Sequence, residues 1–286
     1  MTPSKMDQKY GDLLDMHFLE GPIGSTQDES KRLLLEMESD NCTTIRDTPK
    51  DPLALVVVAK EQINGRGTQG RTWEGTKGNV YLTIAVPLHR IPVTITLLPL
   101  KIGGLIAQTI QTFLSSNRTG EATTHQRKDH KIVVKWPNDV LLDGGKMAGV
   151  LIENWSSPKK NVSSWFLIGI GINVAFAPSL PSDVRTAACL QDYSTVMLDE
   201  TASQTMALTL VDQFVTWILN NHHAEDKAML EASILQEFRS WTEFHRDYKI
   251  RETGEQVTTL DVLPDGQLRV RGANGQERTL VADYLF

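Results

Sequence analysis

Leu53-Ala54-Leu55-Val56-Val57-Val58-Ala59, a Gly-rich polar stretch over residues 61–79, and then the apolar run from Asn79 to Val86 form the passage that decides the fold. The first run is short and rich in β-branched residues, which reads as a buried strand. The second run reads as another strand, stopped by Pro87, which cannot donate to a ladder. Strand, loop and strand follow one another with no helix between them. A loop of that kind is not a dinucleotide fingerprint, which must open a helix, and it lacks the Gly-Lys-Ser/Thr ending of a Walker A loop.

Outward from this passage, apolar residues at 98, 102, 105, 106, 110 and 113 carry helical spacing between Leu97 and Leu114. Lys131 to Trp136 reads as a strand. Val140-Leu141-Leu142 and Met147 to Ile152 flank Asp143-Gly144-Gly145-Lys146, a hairpin turn. Trp165 to Val174 reads as a further strand, with Gly169 and Gly171 on one face, a pattern that marks close approach of a ligand or another backbone. Positions 207, 210, 211, 214, 215 and 218 form a helical face, and a second helix is expected over about 225–240. From Thr242 onward short alternating runs are broken by Pro264-Asp265-Gly266 and Ala273-Asn274-Gly275, both tight-turn signals, so a small barrel is expected. Asn117 to His130 is polar and aperiodic and reads as a surface insertion or a disordered excursion. The expected class is α+β, a mixed sheet flanked by helices, with domains over 1–241 and 242–286.

The 286 residues hold 29 Lys and Arg against 35 Asp and Glu, a net charge of -6 with no block of like charges. That balance argues against non-specific nucleic-acid binding, which needs cations to neutralise phosphates. The two cysteines, Cys42 and Cys189, have no short-range partner and read as buried free thiols of a reducing compartment. No apolar run of about 18 residues is present and the first 15 residues lack a signal-like apolar core, so a cytoplasmic protein without a membrane partner is expected. His222-His223 has no ligand cluster around it and reads as exposed.

Several segments carry chemistry. Gly65-Arg66-Gly67-Thr68-Gln69-Gly70-Arg71 joins three glycines to two arginines, allowing backbone amides and guanidinium forks to approach an anion. As a bare loop it reads equally as a solvated turn. Lys135, ending the run Ile132-Val133-Val134 before Trp136-Pro137-Asn138-Asp139, needs a partner or a route to water. It fits either a carboxylate or phosphate contact or a snorkelling strand end. Lys146 reads as a phosphate contact or an exposed hairpin lysine, and Asn173 as a reader of an adenine edge or a local turn. Gly24-Ser25-Thr26-Gln27 offers donors and acceptors, or simply caps the helix-like stretch 28–37. No Gly-x-Ser-x-Gly elbow, no His-Glu-x-x-His and no kinase set is present. Positioning of anions fits this inventory better than an attacking side chain does.

Taken in order, these pieces resemble the biotin–protein ligase family. Lys60-Glu61-Gln62 leading into Gly65-Arg66-Gly67 and Gly70-Arg71-x-Trp73 is similar to that family's biotin loop. Lys135-Trp136-Pro137-Asn138-Asp139 is similar to its second signature, Gly169-Ile170-Gly171-Ile172-Asn173 to its third, and Ser25-Thr26 to its first polar contact. The likeness runs over roughly residues 17 to 285. It implies a catalytic domain of class II aminoacyl-tRNA synthetase-like type, followed by an SH3-like barrel. It further implies activation of biotin by Mg-ATP to biotinyl-5'-AMP, then transfer to a lysine on the acceptor domains of biotin-dependent carboxylases.

By the same resemblance Ser25, Thr26, Gln27, Gln62, Gly65, Arg66, Gly67, Thr68, Lys135 and Gly149 are expected at biotin. Arg66, Arg71, Trp73, Asn138, Lys146 and Asn173 are expected at ATP, with Arg66 and Lys135 as the catalytic pair. Magnesium would come with ATP, and no ligands for it are assigned. Thr68-Gln69 departs from the family, many members of which carry a basic residue there. A repressor-type DNA-binding segment is not expected, because Ser25-Thr26 lies so near Met1. A monomer and a homodimer both fit. The rival readings are a lipoate–protein ligase, which shares the chemistry but not the head-group pocket, and a non-catalytic binding module in which the loop is inert.

Overall fold

The computed structural model describes residues 1–40, 52–116, 130–157, 164–179, 186–250 and 252–281. Cys42 and all but His130 of the stretch read as an insertion lie outside them. In chain order the elements are α1 (Pro3–Tyr10), β1 (Leu14–Leu19), α2 (Thr26–Asp40), β2 (Ala54–Ala59), β3 (Val80–Pro87), α3 (Leu98–Ser116), β4 (Ile132–Lys135), β5 (Asp139–Leu142), β6 (Gly145–Ser156), β7 (Ser164–Ile172), α4 (Glu200–Asn221), α5 (Lys227–Trp241), β8 (Asp247–Lys249), β9 (Gln256–Val262), β10 (Leu268–Gly272) and β11 (Glu277–Leu280). Seven strands form a mixed sheet in the order β1-β2-β3-β7-β6-β5-β4, and four form a second, antiparallel sheet, β11-β10-β9-β8. This is the expected α+β arrangement, a mixed sheet with helices and a separate C-terminal sheet.

The chain divides into two compact units. The first comprises Met1–Ile91, Gly149–Pro178 and Cys189–His222, and the second comprises Pro92–Ala148, Ser179–Ala188 and His223–Phe286.

In the first unit β2 runs parallel to β1 and antiparallel to β3, which pairs antiparallel with β7. Every residue of β2 and β3 is buried. On one face Leu55, Val57, Ala85, Trp165 and Leu167 pack with Leu33 and Leu34 of α2. The other face is covered by α4, whose Leu208, Val211, Phe214 and Val215 are buried. Burial on both faces explains why β2 reads as a continuous apolar run rather than an alternating one, with each valine worth about 1.5–3 kcal/mol against exposure. Two elements were not anticipated from the sequence. α1 docks through buried Met6 and Tyr10, whose hydroxyl donates to Asp212 of α4 at 2.7 Å. β1 is one of the two edge strands of the sheet.

In the second unit α3 packs on α5 and β4. A Cβ on Gly103 would lie 2.7 Å from Cγ1 of Val134, so this glycine lets the helix approach the strand. The stretch Ile95–Ser116 is long and apolar enough to cross a membrane, with an 18-residue window of mean hydropathy 1.2, but 67% of that window is buried inside the protein. It is a core helix, and its apolar character belongs to packing. The second sheet alternates burial along β10, as expected for strands with one solvated face. Its two turns place Gly266 at φ 83° and Gly275 at φ 78°, conformations that glycine adopts without a steric penalty.

Candidate functional site

Within the first unit the polar groups gather on the sheet face that α2 only partly covers. Ser25 stands before the first residue of α2 and its Oγ accepts the Asp28 N–H at 3.1 Å, so it caps the helix. Its hydroxyl proton remains available to a ligand. Thr26 donates twice to Gln62 Oε1, from its backbone N–H at 2.7 Å and its hydroxyl at 3.2 Å. Thr83, on β3, donates to the Thr26 hydroxyl at 2.8 Å. Ser25, Thr26 and Gln27 are all buried. Thr83 was not singled out in the sequence, because a threonine inside an apolar strand carries no signal until its cross-strand neighbour is known. That neighbour is Gly169.

The two strand glycines have distinct occupants. A Cβ on Gly169 would lie 2.6 Å from Gln27 Nε2, and one on Gly171 would lie 2.5 Å from the Trp73 indole. Close approach was expected here, and two side chains make it.

The 61–79 segment is not an irregular loop. Gln62 bridges Gly75, and Arg66 bridges Thr72, both antiparallel. Trp73 N–H donates to Gly65 O at 2.8 Å and Gly67 N–H to Arg71 O at 2.7 Å. The segment is therefore a two-armed ribbon with its tip at Thr68-Gln69-Gly70, where Gln69 and Gly70 have φ of 57° and 68°. Cβ atoms on Gly65 and Gly75 would sit 2.4 Å from Trp73 O and 1.8 Å from Gln62 O. These two glycines let the two arms of the ribbon meet. Gly67 has no such contact closer than 3.7 Å.

The arginines of the ribbon differ. Arg66 pairs with Asp28 of α2 at 2.5 Å and Glu153 of β6 at 3.4 Å, while Lys31 also holds Glu153 at 2.6 Å. The hydrogen bond from Arg66 pushes the Asp28 carboxyl below the usual range, and Asp28 in turn raises Arg66. Arg71 is turned inward, with Nε on Thr68 O at 3.0 Å and Nη2 on Thr68 Oγ1 at 2.5 Å. Asn173 follows β7 and is buried, its carbonyl accepting the Leu190 N–H at 3.1 Å. The chain beyond it is held by Asn79, whose Oδ1 accepts the N–H groups of Val174, Ala175 and Phe176. Gly149 lies half-buried on β6.

Within the second unit Lys135 ends β4, buried, with its ammonium 4.7 Å from the ring centre of Tyr248 on β8. Trp136 donates to Gly266 O at 3.0 Å, and Thr242 donates to Val134 O. Asn138 and Asp139 are buried. Lys146 pairs with Asp139 at 2.7 Å, and its side chain keeps 21% of its surface in solvent. Lys146 is therefore the more open of the two lysines. Tyr248 and Asp139 were not proposed as site residues, since neither partnership is visible without the tertiary fold. His223 is exposed and His222 half-buried at the end of α4. Cys189 is a buried free thiol as expected, pushed up by burial. Among the described residues no cluster of three or more His, Cys, Asp or Glu side chains could hold a metal ion.

Residues 43–173 match the family described as the biotin/lipoate A/B protein ligase family. The biotin–[acetyl-CoA-carboxylase] ligase of Paracoccus denitrificans is 33% identical over 147 residues, 51% of this chain and 55% of that protein. The bifunctional ligase/repressor BirA of Bacillus subtilis is 33% identical over 143 residues, 48% and 38% of the two chains. The chain thus spans about half or less of the length of these curated relatives. Among solved structures, the biotin protein ligase of Leishmania major in complex with biotinyl-5-AMP is 25% identical, with a TM-score of 0.56 covering 94% of this chain and 99% of that one. The Aquifex aeolicus biotin protein ligase in complex with biotin and ATP shares the fold, with a TM-score of 0.64 at 19% identity over 95% and 97% of the chains.

Proposed function

We propose that this chain, whose residues 43–173 match the biotin/lipoate A/B protein ligase family and which is similar to biotin protein ligases, couples biotin to ATP as biotinyl-5'-AMP and passes the biotinyl group to a lysine of a carboxylase acceptor domain. The observation that carries this reading is the hydrogen-bonded cluster of buried Thr26 and Thr83 with half-buried Gln62, beside the Arg66 ribbon. It offers a set of fixed hydrogen-bonding groups next to a cation, suited to a ligand with a polar ring at one end and a carboxylate at the other.

In this reading Ser25, Thr26, Gln27 and Gln62 hold the ureido ring. Gly65, Gly67, Thr68 and Gly149 line the passage to the carboxylate. Trp73 and Asn173 take the adenosine, with Asn138 and Arg71 on the nucleotide side. Arg66, Lys135 and Lys146 provide positive charge.

The biotin carboxylate oxygen attacks the α-phosphorus of ATP, forming the mixed anhydride and expelling pyrophosphate. The acceptor amine then attacks the anhydride carbonyl, loses its proton and releases AMP. Both partners of the first step are anions, so the residues' task is to offset repulsion and stabilise the charge gathering on phosphorus. Arg66 can do so by exchanging Asp28 and Glu153 for ligand oxygens, and Lys146 by exchanging Asp139. Magnesium would accompany ATP as part of that substrate and offset phosphate charge, and no residue is assigned to hold it. The reading assigns residues 1–241 to catalysis and 242–286 to an SH3-like domain, supported by the β8–β11 sheet. It assigns a cytoplasmic setting, and neither nucleic acid nor membrane as a partner.

The test is ATP–pyrophosphate exchange with biotin and lipoate side by side. Biotin-dependent exchange with little response to lipoate is expected, since a site built for ring hydrogen bonds rejects a ring lacking them by as much as ~10⁴-fold. Exchange driven by lipoate instead would overturn the biotin assignment, and exchange with neither acid would favour a binding module.

A further inference from the structure

Two cations and two carboxylates meet beside the ribbon, and they divide the carboxylate oxygens between them. Arg66 reaches Asp28 Oδ2 at 2.5 Å and Glu153 Oε1 at 3.4 Å. Lys31 reaches the other oxygen of each, Glu153 Oε2 at 2.6 Å and Asp28 Oδ1 at 3.8 Å. Each carboxylate therefore stands between one arginine and one lysine, and the four charges cancel. The Asp28 carboxyl is held below its usual range chiefly by Arg66, with Lys31 acting in the same direction.

The two cations have different footings. Asp28 and Lys31 are three residues apart on one face of α2, and that helix is fixed to the sheet through Leu33 and Leu34. Arg66 comes from the ribbon, and in the function proposed it leaves both carboxylates for ligand oxygens. Were it the only cation here, its departure would leave two bare carboxylates beside an anionic ligand. All four side chains keep a quarter or more of their surface in solvent, so the pairs add little to stability. Their alternation is therefore read for what it does to Arg66.

We propose that Lys31 is a positioning residue for Arg66. It stays on Asp28 and Glu153 when Arg66 turns to the biotin carboxylate, so that the vacated carboxylates neither recapture the arginine nor repel the ligand. This rests on the reading that Arg66 meets the anionic substrates. It adds that the release of Arg66 depends on a lysine that need touch no substrate.

The test is biotin-dependent pyrophosphate exchange by the full chain, with biotin varied at saturating ATP so that KM and kcat are read separately. Lys31→Met keeps the apolar stem and removes the charge. It is expected to raise the KM for biotin roughly five- to tenfold, with kcat changed less than about twofold. Lys31→Arg restores the charge and should return KM to within about twofold of wild type. Glu153→Gln removes a charge that Lys31 neutralises, so in that background Lys31→Met should alter KM by about twofold or less. Salt at about 1 M should shrink the effect of Lys31→Met, because these charges are partly exposed. A lysine that merely tied α2 to β6 would show none of this dependence on charge. Unchanged KM in Lys31→Met, equal impairment by Lys31→Arg, or an undiminished effect beside Glu153→Gln would overturn the proposal. Wild type showing no biotin-driven exchange would instead defeat the reading beneath it. If Lys31→Met does not fold, as judged by thermal melting, Lys31→Gln removes the same charge and enters the same comparison.

Discussion

Arg66 and Asp28 show how little of a side chain's role is fixed by its type. An arginine in a Gly-rich loop suggests an anion site, yet here it is already paired with Asp28 and Glu153. Both partners are partly exposed, so the pair itself contributes under about 1 kcal/mol to stability. Arg66→Ala is accordingly expected to leave the melting temperature nearly unchanged while lowering biotin-dependent pyrophosphate exchange by ~10²–10³. A large fall in melting temperature with intact exchange would reverse that assignment. Asp28 titrates below the usual carboxylate range, so its contribution is complete above about pH 4 and disappears as pH falls through its depressed value. Asp28→Asn should therefore lower stability slightly at neutral pH, where that contribution is present, and flatten the acid limb of the stability profile, with the difference vanishing below the depressed value. Sequence reading located Ser25, Thr26 and Gln62, but not Thr83, because a hydroxyl within an all-apolar strand looks like ordinary strand composition. It offered helix capping as one role for Ser25-Thr26, and the Ser25 hydroxyl does cap α2.

At the scale of elements, the ribbon over residues 62–75 is the feature least visible in sequence. Its arms are too short and too polar for alternation to appear, and its glycines look alike. They are not equivalent. Gly75→Ala sets a Cβ against the Gln62 carbonyl and is expected to cost at least ~2 kcal/mol, while Gly67→Ala, extended and uncrowded, should stay within about 1 kcal/mol. Chemical denaturation of the two variants measures the difference. The long apolar runs, β2, β3, β7, α3 and α4, were all legible, because burial on both faces or a sustained 3.6 period leaves a plain signal. β1 does alternate over Leu14-Asp15-Met16-His17-Phe18, but the signal is short and lies among polar neighbours. α1 buries only Met6 and Tyr10, too few to establish a period.

Across the whole molecule, the C-terminal sheet was foreseen from its turns, but its role toward the second signature was not. Trp136 bonds the turn at Gly266, Val134 accepts from Thr242, and Lys135 lies against Tyr248. A cation over an aromatic ring is worth about 0.5–2 kcal/mol. Tyr248→Leu is thus expected to impair exchange severalfold, with Tyr248→Phe close to wild type. The two lysines separate in the same assay. Lys146→Ala should reduce exchange by ~10²–10³, as for one oriented cation, and Lys135→Ala should in addition lower the melting temperature, because its ammonium is buried. Near-wild-type exchange in either variant would remove that lysine from the mechanism. Contacts between residues more than a hundred positions apart leave no local trace, which is why these partnerships had to await the fold.

The inward turn of Arg71 onto Thr68 makes these two positions energetically inseparable. A basic residue introduced at position 68 would add one cation and also release the Nη2 of Arg71 from the Thr68 hydroxyl. Its effect would therefore be epistatic, and a survey of position 68 alone would credit that site with a change that partly belongs to its neighbour three residues along. Only the pair, varied together, reports how much charge the tip of the ribbon can present.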